Sequence, residues 1–263
     1  MLNKIRRNLH LFYYIQRYSW KTEFAYRLQG VVWLLFFLIQ TLLTYVFITV
    51  IYSVSSGIVG WGYYQMLMLA STAIMLVGVI NYMLDMGNLG SDLQSGNFDV
   101  ALSRPVSHLM VMISNFNGAA AISSIISGAI LFAYAASHTA FSPLQLGSFL
   151  VLFALGSAIA LLFVITLILS SYRLFRGGSW ISWVVQAISS AARYPLSIYG
   201  IIGSVVFTVL VPLGFATYYP VEAITGKLSY LYIAGLGIGE VVAIAFLMFV
   251  VHKLLEGYSS GMG

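Results

Sequence analysis

The chain has 263 residues, 60% of them hydrophobic and only 7% charged, with a mean hydropathy of +0.95; a soluble domain is about 45–50% apolar and about 25% charged. This excludes a soluble globular protein and indicates an integral membrane protein, and the absence of cysteine excludes disulfides, thiolate metal sites and a cysteine nucleophile. The net charge of +5 and isoelectric point near 9.3 come from basic residues at the ends of apolar spans, so they read as membrane topology and not as a nucleic-acid footprint.

Residues 1–27 carry Lys4, Arg6, Arg7, Arg17, Lys21 and Arg27 among aromatics. A secretory signal would place roughly 7–15 apolar residues after a short basic region, and this segment does not. Ile5, Leu9, Phe12 and Tyr13 recur at helical spacing, which predicts an amphipathic helix lying on the membrane with its basic side toward anionic head groups. A basic flank of the first span accounts for the charges equally well.

A bilayer crossing needs roughly 20 apolar residues. Residues 28–52 and 61–84 meet this and are separated by a tight Gly/Ser turn, SVSSGIVG. Residues 108–136 and 146–171 form spans three and four, joined by SHTAFSPLQ. After SYRLFRGG the apolar helix of residues 179–194 begins, with Trp180 and Trp183 suited to interface depth. The next run is broken by Pro195, Gly200, Gly203, Pro212 and Gly214, and broken helices persist at membrane depth only where they are buried in protein or line water. Two divisions fit: a short fifth span over 179–194 followed by a re-entrant segment over 195–220, or a surface helix followed by a span over 196–216. Residues 231–251 then form the last span, so both divisions give an all-α protein with six transmembrane helices.

With both termini in the cytoplasm, ten of the twelve basic residues fall inside, leaving Arg193 and Lys227 outside. The positive-inside rule supports this orientation. It also puts the polar island of residues 85–107 in the cytoplasm. In that island Gly87, Gly90 and Gly96 break helix, Asn97 suits an N-cap, Asp99 the first turn and Arg104 the C-terminal end, which predicts a short helix along the membrane that stops at Pro105.

Other chemistry is thinly marked. The nearest approach to a phosphate-binding loop is Gly226–Lys227, but Leu228 follows and Val221 stands where the first glycine should be. His10, His108, His138 and His252 form no ligand pair, and no G-x-S-x-G elbow is present. Glu240 is the one acidic residue set well inside a span, and it serves either the substrate path or a place near the outer surface. Gly235 and Gly239 form G-x-x-x-G, which predicts close packing of the last span against the preceding hairpin. Gln40, Asn81, Asn115, Asn117 and Gln186 are the remaining polar side chains in or near the spans; they either line a polar pathway or hydrogen-bond between helices.

The phrase GNFDVALSRPVS, together with RYPLSIYG and VPLGFATYYPVEAITG, resembles the six-helix permease subunits of type-2 ATP-binding-cassette (ABC) exporters over essentially the whole chain. The resemblance implies that the loop after span two is a coupling helix docking on a separate ATPase subunit, with Gly96, Phe98, Asp99, Leu102, Arg104 and Pro105 as its contact residues. It also implies the re-entrant hairpin before span six, and thereby the first of the two divisions. ATP and Mg would sit on the partner ATPase, with no cofactor and no catalytic residue in this chain. A second permease chain, identical or different, would complete the pathway in a prokaryotic cell membrane, and Gln40, Asn81, Asn115, Gln186 and Glu240 are its candidate lining. Wide apolar spans with few charges suit an amphipathic or lipid-like cargo. A membrane scaffold using the same loop to hold a cytoplasmic partner is the alternative; an ion-coupled transporter is disfavoured by the lone intramembrane acid and the lack of an obvious repeat.

Overall fold

The structure is a computed structural model that describes His10, Tyr13, Tyr14, Gln16, Arg17, Trp20, Lys21 and residues 27–55, 57–84, 118–175 and 179–256. The expected coupling loop, with Gly96, Phe98, Asp99, Leu102, Arg104 and Pro105, lies outside these residues, as do Asn115 and Asn117. The architecture is all-helical, with no strand among the described residues.

Five helices are long and apolar enough to cross a membrane. In chain order they are α1 (Arg27–Val54), α2 (Tyr63–Met83), α3 (Gly118–Ser137), α4 (Pro143–Phe175) and, at the C-terminal end, α9 (Tyr230–Glu256). At 1.5 Å per residue even α3, with 20 residues, reaches the roughly 30 Å of a hydrocarbon core. Between α4 and α9 lie α5 (Ser179–Ala191), α6 (Gly200–Val205), α7 (Leu213–Ala216) and α8 (Tyr218–Ile224). α5 has 13 residues, about 20 Å of helix, and it ends where the chain turns at Ala192–Tyr194 toward Pro195.

The segment from Leu196 to Ile224 is bent by 81° between Leu210 and Leu213. The cause is local. Pro212 supplies no N–H, and the residues before it relax into a π-type turn in which the Val211 amide bonds the Val206 carbonyl at 2.8 Å. The first limb exposes Ile201, Ile202, Val209 and Leu210, whereas the second buries Leu213, Ala216, Val221, Ala223 and Ile224. The second limb lies so close to α4 that a Cβ on Gly156 would run into the Phe215 carbonyl. Counted as one crossing, the bent pair makes a sixth span.

The centre of the bundle is the α2–α3 contact. A Cβ on Gly78 would stand 2.8 Å from the Ala121 carbonyl oxygen, and one on Gly128 3.0 Å from the Ser71 carbonyl oxygen. Each helix therefore offers the other a glycine, the device that lets membrane helices approach closely where no hydrophobic force separates protein from lipid. The Ser124 hydroxyl donates across this contact to the Ile74 carbonyl at 2.9 Å.

Around this centre the core falls into three layers. One end holds Trp61, Met66, Leu69, Phe149 and Ile224. Ala73, Leu76, Ile80, Ala160 and Leu213 occupy the middle, and Leu84, Ile165, Ile168 and Val251 the far end. At the Trp61 end, two glycine turns meet. Gly60 (φ 80°) closes the α1–α2 turn and Gly226 (φ 73°) the turn after α8, left-handed positions that glycine adopts without a Cβ penalty. Lys227 ties them together: its ammonium donates to the Gly60 carbonyl at 2.6 Å and lies 3.9 Å from the Trp61 ring centroid. Burial holds that ammonium below the ordinary lysine range, with Glu222 pulling in the opposite direction.

A polar cleft along the first helix

One face of α1 carries Trp33, Phe37, Gln40, Thr44 and Ile48, at intervals of three and four residues. From Trp33 to Ile48 this stripe runs about 22 Å along the helix axis, most of the hydrocarbon thickness. Two adjoining cavities follow it. The first, about 200 Å³, brings Trp33, Phe37 and Gln40 together with Asn81 of α2, Ser124 of α3, and Gln186, Ser189 and Arg193 on or just beyond α5. The second, about 340 Å³, continues past Leu43, Phe47 and Ile48 to Ala70 of α2. Gln40 and Arg193 line both.

The cleft thus gathers three of the five candidate pathway residues, Gln40, Asn81 and Gln186, which stand on three different helices. Their side-chain amides make no hydrogen bond among the described residues, and neither does the Arg193 guanidinium. The alternative role considered for these amides, stitching helices together, falls instead to hydroxyls such as Ser124.

Arg193, which enters the sequence reading only as one of two basic residues outside the membrane, is a cleft residue not named as a candidate. A signal for it existed: Gln186, Ser189, Ser190 and Arg193 follow one another at helical spacing on one face, a polar stripe in an apolar setting. Ser124 and Ser189 were not singled out because a buried serine in a membrane helix carries no signal of its own.

Glu240 lies apart from the cleft. Its side chain is fully buried and both carboxylate oxygens lack a hydrogen-bond partner among the described residues. It begins a stripe continued by Ile244, Leu247 and Val251, the last three packed with the α4 residues Leu162, Ile165 and Ile168. Ser157, whose buried hydroxyl also lacks a partner, precedes Ile168 by the same eleven residues that separate Glu240 from Val251. Eleven residues are close to three full helical turns, so the two orphaned polar groups occupy corresponding positions on helices that run in the same direction.

The close packing expected at Gly235 and Gly239 is not made. A Cβ on either glycine meets nothing within 4 Å, and both line a cavity of about 530 Å³ with Phe215, Tyr232 and Leu236. Among the described residues no group of three or more His, Cys, Asp or Glu side chains could hold a metal ion.

These features describe a membrane protein with a polar cleft along a crossing helix, and comparison with known proteins gives it a lineage. No match was found among curated proteins or solved structures. A family model described as ABC-2 family transporter protein matches residues 38–261, which takes in most of α1, the cleft residues from Gln40 onward, the bent segment and α9. The chain belongs to the ABC-2 family of transporter proteins.

Proposed function

We propose that this chain is the permease subunit of an ATP-driven exporter, and that the cleft along α1 is its share of the translocation pathway. Family membership makes it a membrane transport component; the observation that carries the further step is the set of polar heads of Gln40, Asn81, Gln186 and Arg193, unpartnered among the described residues, lining one cleft between apolar helices. Polar groups inside a bilayer are costly unless paired or wet, and their usual reason for being there is a substrate or water path.

The remaining parts follow the same reading. The termini and the loop over residues 85–107 face the cytoplasm, and the loop docks on a separate ATPase subunit through Phe98 and Leu102, with Asp99 and Arg104 capping or pairing at the contact. ATP and Mg belong to that subunit. Nucleotide-driven movement of the loop tilts α2 and the helix that follows it, and Asn81, two residues from the C-terminal end of α2, moves with it. The apolar outer faces of α1 and α9 are left for lipid and a second permease chain, identical or different. The bent segment Leu196–Ile224 is a re-entrant hairpin entered from the outer side.

The test is to purify the chain from its native membrane in mild detergent, identify what accompanies it, and assay ATP hydrolysis. The expected result is a co-purifying ATPase whose cargo-stimulated hydrolysis falls severalfold in the Asp99→Ala, Arg104→Ala double variant while the protein stays folded in the membrane. Unchanged hydrolysis and transport in that variant would reject these residues as the coupling contact. Reproducible absence of any ATPase would contradict the exporter assignment and leave a scaffold that holds another cytoplasmic partner.

A further inference from the structure

Among the described residues Arg193 has no counter-ion in its cleft. None of the residues lining either cavity is acidic. The acidic residues that the structure describes stand elsewhere: Glu222 lies toward Tyr218 and Lys227, Glu240 is buried on the α9 stripe that packs on α4, and Glu256 pairs with His252 and Lys253 at the end of α9. A half-buried guanidinium with five N–H donors and no acceptor among the described residues is an incomplete arrangement. An anion supplies what is missing, and guanidinium geometry matches phosphate or carboxylate oxygens in pairs.

The two cavities divide by chemistry. Next to Arg193 the first presents the amides of Gln40, Asn81 and Gln186 and the hydroxyl of Ser189. The second is mainly apolar, presenting Leu43, Phe47, Ile48 and Ala70, with Thr44 and Tyr194 as further polar residues. Gln40 and Arg193 stand at the junction. A ligand that fits has a compact anionic head and an apolar tail.

We propose that the cleft binds an amphiphile whose head is a phosphate or carboxylate, seated on Arg193 and Gln40 with its tail along Leu43, Phe47 and Ile48. That such an amphiphile is the transported cargo rests on the pathway reading above; the binding itself does not.

The test uses the full chain in phosphatidylcholine nanodiscs, with dodecyl phosphate as the probe and the emission of Trp33, which lines the head-group cavity, as the readout. Trp33→Phe identifies the signal that belongs to the cleft. Dodecyl phosphate gives a saturable change, Arg193→Gln weakens it about tenfold or more, as loss of a charge-assisted bond requires, and Arg193→Lys, which keeps the charge but not the paired donors, weakens it less. Gln40→Leu, which keeps the arginine, weakens it severalfold. Dodecyltrimethylammonium gives no saturable change, and inorganic phosphate at the same concentrations does not compete. Equal affinity in Arg193→Gln, or equal binding of the quaternary ammonium, overturns the proposal. Competition by inorganic phosphate overturns the amphiphile and leaves a site for a free anion. Anion binding that passes these tests, with transport by the ATPase complex indifferent to Arg193→Gln, keeps the site and removes the pathway reading. Transport that depends on Arg193 without any binding of the anionic probe does the reverse.

Discussion

The α2–α3 pair and the outer helices α1 and α9 are built from similarly apolar sequence, yet they are used in opposite ways. α2 buries most of its length, from Met66 through Ile80, and it does so with glycine, serine, threonine and alanine among the larger residues. α9 buries only Glu240 and Val251, and α1 exposes Val31, Leu35, Ile39, Leu42 and Val46 along one side. In water the larger apolar side chains would claim the interior. In lipid they gain nothing by being there, so close backbone approach and hydrogen bonding select what goes inside. The two glycine sets make the difference concrete: Gly78 and Gly128 are filled by a neighbouring helix, whereas Gly235 and Gly239 face open space.

That contrast can be broken first at its tightest point. Gly78→Ala and Gly128→Ala each force a methyl against a carbonyl of the facing helix and are expected to cost about 1–3 kcal/mol, read as a lower unfolding temperature in detergent. Gly235→Ala and Gly239→Ala are expected to leave the isolated chain as stable or slightly more so, by up to about 1 kcal/mol from helix propensity. A large loss at Gly239 in the assembled transporter but not in the isolated chain would show that a second permease chain packs on that face. Equal losses at all four glycines would abolish the distinction between the helices.

A smaller effect is expected at the clamp between the two glycine turns. Lys227→Met removes a hydrogen bond to Gly60 and a cation–π contact to Trp61, together about 1–2 kcal/mol. Its signature is faster proteolysis or hydrogen exchange in the turns at 57–62 and 225–229, with the α2–α3 centre unaffected.

The smallest change is predicted where intuition expects the largest. Glu240→Gln keeps the shape of a buried side chain and removes an ionisable group that has no partner among the described residues, and burying an unpaired charge is unfavourable. Its unfolding free energy is expected to shift by less than about 0.5 kcal/mol. Abolished transport by an otherwise intact ATPase complex would instead assign Glu240 to proton or ion coupling.

Much of the fold could be read from the chain because lipid imposes simple rules. Apolar runs of sufficient length become helices, and Leu28 to Val54 or Tyr230 to Glu256 could scarcely be anything else. The break at Val211–Pro212 was visible because proline removes a donor, but the direction of the 81° bend was not, since it follows from how Gly156 receives Phe215. The cleft was half legible. Gln40, Asn81 and Gln186 stood out as amides among apolar neighbours, although nothing in their spacing along 147 positions revealed that three helices bring them together. Arg193 was not singled out as a cleft residue because counting charges by loop weighs an arginine between spans only as a topological marker. The failed expectation at Gly235 and Gly239 has a similar origin: a small-residue motif permits close approach without naming the partner.

The most direct test of the cleft uses the absence of cysteine from the chain, which makes single-cysteine variants unambiguous. Gln40→Cys and Thr44→Cys lie on the cleft stripe of α1, whereas Ile39→Cys and Val46→Cys lie on its exposed apolar side. In intact membranes a charged, membrane-impermeant thiol reagent is expected to modify the first pair, at rates that change during ATP turnover, and to leave the second pair unmodified. Equal inertness of all four positions, or equal reactivity on both sides of the helix, would contradict a water-filled pathway along α1.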